Sequence, residues 1–166
     1  MHAAAEKSAE RMLQDVWKGR GFPIDPVTIS LQLGIQVKQA TLPEDVSGAI
    51  IKKKGSDPVI LLEETDSDNR KRFTCAHELG HFVYRMETRP EAEEYEWVDF
   101  RDLESSMGII EEERYANGFA ASLLMPRDAV VRQWRDSRFL PSLAYYFGVS
   151  VEAAVNRLKN LGLLTP

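Results

Sequence analysis

A mostly helical α+β domain, with a small sheet of about three antiparallel or mixed strands, is the fold class this sequence predicts. Three observations carry that expectation. Segments of helical period occupy both ends of the chain; three short runs rich in Ile and Val lie close together between residues 35 and 62; and a turn-like tetrapeptide, Lys54 to Asp57, separates the last two of these runs. The 166 residues suffice for one ordinary hydrophobic core. With 21 basic and 26 acidic side chains the net charge is −5, which disfavours a protein built mainly to hold nucleic-acid phosphates. The single cysteine, Cys75, can form neither an internal disulfide nor a cysteine-based zinc knuckle. No apolar run approaches the roughly 18 residues of a membrane span, and the charged opening MHAAAEKSAER lacks the apolar stretch of a signal peptide, so the cytoplasm is the expected compartment.

The elements follow in order. Residues 3–19, rich in Ala, Glu and Lys, place Met12, Leu13, Val16 and Trp17 at helical spacing, and Gly21 to Pro23 end that helix. Asp25 as N-cap, Pro26 in the first turn and Gly34 beyond the end predict a short second helix. Residues 35–39, 48–53 and 58–62 are expected as strands, the latter two as a hairpin. Asp66, Ser67 and Asp68 then offer caps to a segment with no Pro and one Gly, predicting a helix over 67–86. Residues 87–108 are acidic and irregular, with Trp97, Val98 and Phe100 too close together to share one face; they are expected as a long connection and a candidate lid or specificity element. A helix over 109–125 stops at Pro126, and three short helices are expected over 127–135, 140–147 and 151–161. The division that follows is a core of residues 1–126 and a C-terminal helical unit, 127–166, packed on it.

Chemistry concentrates in His77-Glu78-Leu79-Gly80-His81, an H-E-x-x-H pattern that uses two of the three histidines in the chain. On a helix, side chains four apart share a face about 6 Å apart at Cβ, near enough for two imidazoles to hold one zinc ion. Glu78, about 100° around, is placed to address water rather than the metal. The apolar neighbours Phe73, Ala76, Phe82, Val83 and Tyr84 predict a largely buried helix, in which two histidines need partners. Gly80 costs about 1 kcal/mol against Ala in a helix interior, a cost that makes sense where another backbone passes closely.

A catalytic zinc needs a third protein ligand. A histidine does not follow at the expected distance, since Tyr84 and Glu87 stand where a longer zinc signature would have Gly and His. The candidates are carboxylates at the head of the 109–125 helix. There Glu112 and Glu113 flank the apolar face formed by Ala116, Phe119, Ala120, Leu123 and Leu124, whereas Glu111 points away. Spacing leaves both open, although Glu113 has Asn117 one turn later, whose amide oxygen would suit the outer N–H of a zinc-bound histidine.

These residues carry a resemblance. RFTCAHELGHFV, followed some thirty residues later by Glu113, Asn117, Phe119, Ala120, Ala121, Leu123, Leu124, Met125 and Pro126 in the order E-x-x-x-N-x-F-A-A-x-L-L-M-P, is similar to the ImmA/IrrE family of metallopeptidases. The likeness extends upstream through IDPVTISLQLGIQVKQATLPEDVSGAII and downstream through LAYYFGVSVEAAVNRLKNLGLL, covering nearly the whole chain from Ile24 onward. It implies a zincin-like fold with a helix-turn-helix-like ending. It also implies a zinc-dependent endopeptidase of the cytoplasm that cleaves a helix-turn-helix transcriptional repressor in stress response or mobile-element regulation, with manganese an alternative ion in the cell. In the family the third ligand is the Glu four residues before the Asn, here Glu113. One departure is Tyr115, where many members have Glu; it is expected to alter the cleft wall.

The expected mechanism is metal-assisted hydrolysis. Zinc on His77, His81 and Glu113 acts as Lewis acid, while Glu78 takes a proton from water and passes it to the leaving amine. Tyr84, Tyr95, Tyr115, Tyr145 and Tyr146 are available to stabilise an oxyanion, with nothing in the sequence to choose among them. Cys75 lies about 160° around the helix from His77 and is expected as a small buried side chain; His2 is expected as an exposed bystander.

Two other readings stand beside this one. Residues 140–161 have the outline of a helix-turn-helix, whose second helix offers Asn156, Arg157, Lys159 and Asn160 against Glu152, but the acidic total disfavours direct DNA binding and favours a packing or substrate-docking role. A protein-interaction or DNA-associated regulatory domain that keeps the peptidase fold without catalysis is the alternative function, and the presence of Glu78 counts against it.

Overall fold

The structure, a computed structural model, describes residues 3–88, 97–98 and 106–164. His2, Tyr95 and most of the acidic connection expected as a lid or specificity element lie outside the described residues. Helix α1 (Ala3–Met12) continues into a single widened π turn, Leu13–Trp17, closed by a bond from the Lys18 amide to the Leu13 carbonyl at 2.9 Å. The helix expected over 3–19 is thus α-helical only to Met12. Helix α2 (Pro26–Gln32) starts as its caps predict: the Asp25 carboxylate accepts from the Val27 amide at 3.0 Å and from the Thr28 hydroxyl at 2.7 Å.

Strands β1 (Gln36–Ala40), β2 (Gly48–Lys52) and β3 (Val59–Glu63) fall where the Ile and Val runs place them, and β4 (Trp97–Val98) adds a two-residue edge. The spatial order is β1-β3-β2-β4. The expected hairpin forms, with β2 antiparallel to β3 and Ile50 opposite Ile60, whereas β1 lies parallel to β3, so the sheet is mixed. Its buried residues Ile50, Ile60 and Leu62 join the core against the long helix α3 (Asp68–Thr88).

Helix α3 packs most extensively against α4 (Ser106–Leu124), three residues longer at its start than the apolar pattern indicates. The reason for Gly80 is at their crossing. A Cβ there would stand 2.9 Å from the Ala116 Cα and 3.1 Å from its carbonyl oxygen, so only hydrogen lets the two backbones approach. The chain ends in α5 (Arg127–Ser137), α6 (Leu140–Phe147) and α7 (Val151–Asn160), the last capped by the Ser150 hydroxyl.

These last helices are fastened by two arginines. Arg72 of α3 donates through Nε to the Gly148 carbonyl at 3.0 Å and through a terminal nitrogen to the Ile24 carbonyl. Arg157 of α7, which sequence places among surface or DNA-reading residues, is instead buried: its Nε donates to the Met125 carbonyl at 2.9 Å and it lies 3.6 Å from the Glu6 carboxylate. A single buried cluster runs through all of these parts, from Ala5 to Leu158.

Candidate metal centre

The three candidate donors come from two helices held at a fixed separation by the Gly80 crossing. His77 and His81 lie one turn apart on α3, and Glu113 faces them from α4. The two Nε2 atoms are 3.0 Å apart, Glu113 Oε2 is 3.5 Å from His77 Nε2, and Glu113 Oε1 is 3.3 Å from His81 Nε2. Zinc bonds of 2.0–2.1 Å at tetrahedral angles would separate neighbouring ligand atoms by about 3.3 Å. The cluster therefore has the dimensions of three corners of a zinc tetrahedron. Its chemistry agrees: a single proton can relieve the repulsion along one edge of such a triangle of lone pairs, whereas a cation relieves all three.

Glu112, the other carboxylate that spacing left open, stands behind His81. Its Oε1 lies 3.0 Å from His81 Nδ1 and accepts from Arg85 Nε at 2.7 Å. Burial pushes its carboxyl up, but the His81 hydrogen bond and the Arg85 charge outweigh that and hold it below the ordinary carboxylate value. The acceptor on the outer nitrogen of His81 is thus Glu112, not Asn117. Asn117 instead lines the open cleft one turn beyond Glu113. Arg85, which no motif singles out, reaches Glu112 because its position four residues after His81 puts it on the same helix face.

A cleft of about 240 Å³ opens over the donors. Glu78, itself buried, forms part of its wall, together with Phe73 and Thr74 of α3 and the loop that enters β2. Gly48 at the start of β2 is required here, because a Cβ would collide with the Thr74 methyl and stand 3.4 Å from Glu78 Cγ. The Phe73 ring stacks near His77 with centroids 6.4 Å apart. At the rim Arg70 is fixed through its Nε by Ser47 at 2.8 Å and Asp66 at 3.1 Å.

None of the four described tyrosines lines this cleft. Tyr145 is 88% exposed, Tyr146 packs on Phe22, and Tyr84 packs on Tyr115. Tyr115, expected in the cleft wall, points the other way: its hydroxyl donates to Glu87 at 3.0 Å within a group that includes Ser8 and Arg11 of α1. Cys75 is buried beside Ser30, and burial pushes its thiol up to about 12, as suits a packing residue.

Comparison with known proteins bears on the fold and the family. A transcriptional regulator of Mycobacterium tuberculosis has a similar fold, with a TM-score of 0.69 at 19% sequence identity over 95% of this chain; the chain spans 47% of that protein's length. No curated protein matches the chain. Among the described residues no helix is long and apolar enough to cross a membrane. The family model described as the IrrE N-terminal-like domain matches residues 31–159, and the chain therefore belongs to that peptidase family, as the resemblance of its two central motifs implies.

Proposed function

We propose that this protein is a zinc-dependent endopeptidase. The observation that carries the reading is the convergence of His77 Nε2, His81 Nε2 and a Glu113 carboxylate at tetrahedral edge lengths, beside a buried glutamate in an open cleft. His77, His81 and Glu113 would hold the ion, with zinc favoured by two imidazoles and one carboxylate and manganese an alternative in the cell. When bound, the ion supplies Lewis acidity at the scissile carbonyl and at water. Glu78 accepts the proton that water loses and returns it to the departing amine; its burial between α3 and β2 keeps the carboxylate oriented for both transfers. Glu112 fixes the His81 ring with Nδ1–H outward, which leaves Nε2 as the donor to the ion.

The substrate in this reading is a cytoplasmic helix-turn-helix transcriptional repressor, cut during stress response or mobile-element regulation. Support comes from membership of the family and from a structural neighbour described as a transcriptional regulator. Residues 1–126 form the peptidase core and residues 127–166 a helical unit packed on it. Direct DNA reading by α7 loses its one arginine, since Arg157 is buried.

The test is a calorimetric zinc titration of metal-stripped protein beside His81→Ala and Glu113→Gln, followed by cleavage assays with wild type and Glu78→Gln. One equivalent is expected, with affinity falling at least about tenfold in both ligand variants. Glu78→Gln is expected to bind zinc and to cleave nothing. Zinc binding indifferent to both ligand substitutions would remove the peptidase mechanism and put a non-catalytic interaction domain in its place.

A further inference from the structure

Beyond the metal centre the cleft does not stop. A second cavity of about 500 Å³ adjoins it, sharing Arg70, Phe73 and Asn117 with the first. It runs between the early turns of α3, the later turns of α4 and the exposed side of α7. Its construction follows from helical spacing. Along α4 and one residue past its end, Glu113, Asn117, Ala121 and Met125 succeed one another four residues apart, so one stripe carries a metal donor at one end and the floor of the second cavity at the other. On α3, Asn69, Phe73, His77 and His81 do the same. The two stripes that hold the candidate ion therefore continue as the walls of the groove.

The lining has a chemistry of its own. Ala121 and Ala153 are small residues on facing helices, which leaves room between them, and Phe73 and Met125 add apolar surface. Around this floor stand four amide side chains, Asn69, Asn117, Asn156 and Asn160. A primary amide offers both a donor and an acceptor without charge, the complement of a peptide group. Among the described residues, none of these four makes a side-chain hydrogen bond within the protein. All four are exposed, so water satisfies them while the groove is open and a bound peptide group could take its place.

We infer that this groove binds the continuation of the substrate chain in extended form, seating an apolar side chain three to five residues to one side of the cleaved bond. The inference rests on the peptidase reading above and adds a specificity determinant to it. The distance follows from the stripe: Ala121 lies eight residues beyond Glu113, a rise of about 12 Å along the helix. An extended chain advances about 3.3 Å per residue, so about four residues span that length. Arg70, fixed by Ser47 and Asp66 where the two cavities meet, is placed to hold a substrate carbonyl at the junction. The small facing alanines and the Phe73 ring suit a medium-sized aliphatic or aromatic residue, while Arg70, Glu152 and Arg157 supply the charged part of the lining.

The experiment uses two probes on the full chain. Zinc-loaded Glu78→Gln protein is offered a soluble random dodecapeptide library, and zinc-loaded wild type a proteome-derived peptide library read by mass spectrometry. Each is repeated with Ala153→Trp, which fills the groove, and with the exposed pair Asn156→Ala and Asn160→Ala, which leaves its packing intact. Enriched dodecapeptides are expected to share an apolar residue and to bind both groove variants at least about tenfold more weakly, with zinc titrations unchanged. Cleaved peptides are expected to show the apolar preference three to five residues from the cut, flattened in both variants. Selected peptides that bind the groove variants as tightly as the parent, or no enrichment at all, would overturn the assignment. The two readings fail separately. Groove-dependent binding without any cleavage by wild type removes the peptidase and keeps the groove; cleavage whose preferences ignore both variants keeps the peptidase and removes the groove.

Discussion

His81 is gripped at both ring nitrogens, by the donor cluster at Nε2 and by Glu112 at Nδ1, with Arg85 holding Glu112 in turn. A ligand whose tautomer is fixed in advance loses less freedom on binding an ion. Glu112→Gln is accordingly expected to weaken zinc binding by about tenfold or more while Glu113 stays in place; calorimetry beside the wild type checks this, and unchanged affinity would show that Glu112 serves packing alone. Burial, reinforced by the neighbouring Glu87 charge, pushes the Tyr115 phenol up to about 12 from an ordinary value of 10. A group whose folded value is raised contributes stability below its unfolded value and loses it as pH climbs to the folded one. Stability should therefore fall between pH 10 and about 12 by a contribution that Tyr115→Phe does not have. At neutral pH that variant gives up the bond to Glu87 and should be less stable by about 1 kcal/mol. Urea unfolding at pH 7 and pH 11 should show the gap between the two proteins narrow; a constant gap would assign the tyrosine no part in alkaline unfolding.

Between elements, the crossing of α3 and α4 at Gly80 sets the separation of the donors. Gly80→Ala adds helix propensity of about 1 kcal/mol but drives a methyl into the Ala116 backbone, and overpacking of that kind costs about 1–3 kcal/mol. We expect net destabilisation in urea unfolding together with weaker zinc binding, because parting the helices moves Glu113 from the histidines. A stabilised variant with normal zinc affinity would show the contact to be slack. Much at this scale was legible in sequence. Capping side chains at Asp25 and Ser67, the 54–57 turn and the H-E-x-x-H spacing act within a few residues, so local pattern carries them. The parallel pairing of β1 with β3, the short β4 and the widened turn at Leu13–Trp17 depend on partners brought from afar. The choice between Glu112 and Glu113 was ambiguous for the same reason. Both lie on usable faces of α4, and only the position of α3 separates the carboxylate facing the two Nε2 atoms from the one behind His81. Tyr115, expected in the cleft wall, and Arg157, a candidate DNA reader, are placed instead by partners distant in sequence, Glu87 and the Met125 carbonyl.

Across the whole molecule, one buried cluster includes α1, the sheet, α3, α4 and the three C-terminal helices. Such continuity predicts a single cooperative transition, seen as coincident thermal curves by far-ultraviolet circular dichroism and tryptophan fluorescence. A chain ended at residue 126 should lose that transition, since it removes Leu143, Phe147 and Leu158 from the cluster; a cooperative truncated core would instead make the C-terminal unit a separable domain. Replacing the buried guanidinium in Arg157→Leu leaves the Met125 carbonyl without its donor, at an expected cost of about 1–3 kcal/mol, measurable in urea.

The anchors of the C-terminal unit share one further property. Arg72 and Arg157 reach main-chain carbonyls at Ile24, Gly148 and Met125, and every residue type presents that group. The attachment is thus addressed to the path of the backbone and is blind to most side-chain replacements along it. Helix α7 can change the face it turns to the groove while its seat stays the same, so that recognition can drift between related chains without reopening the question of where the helix sits.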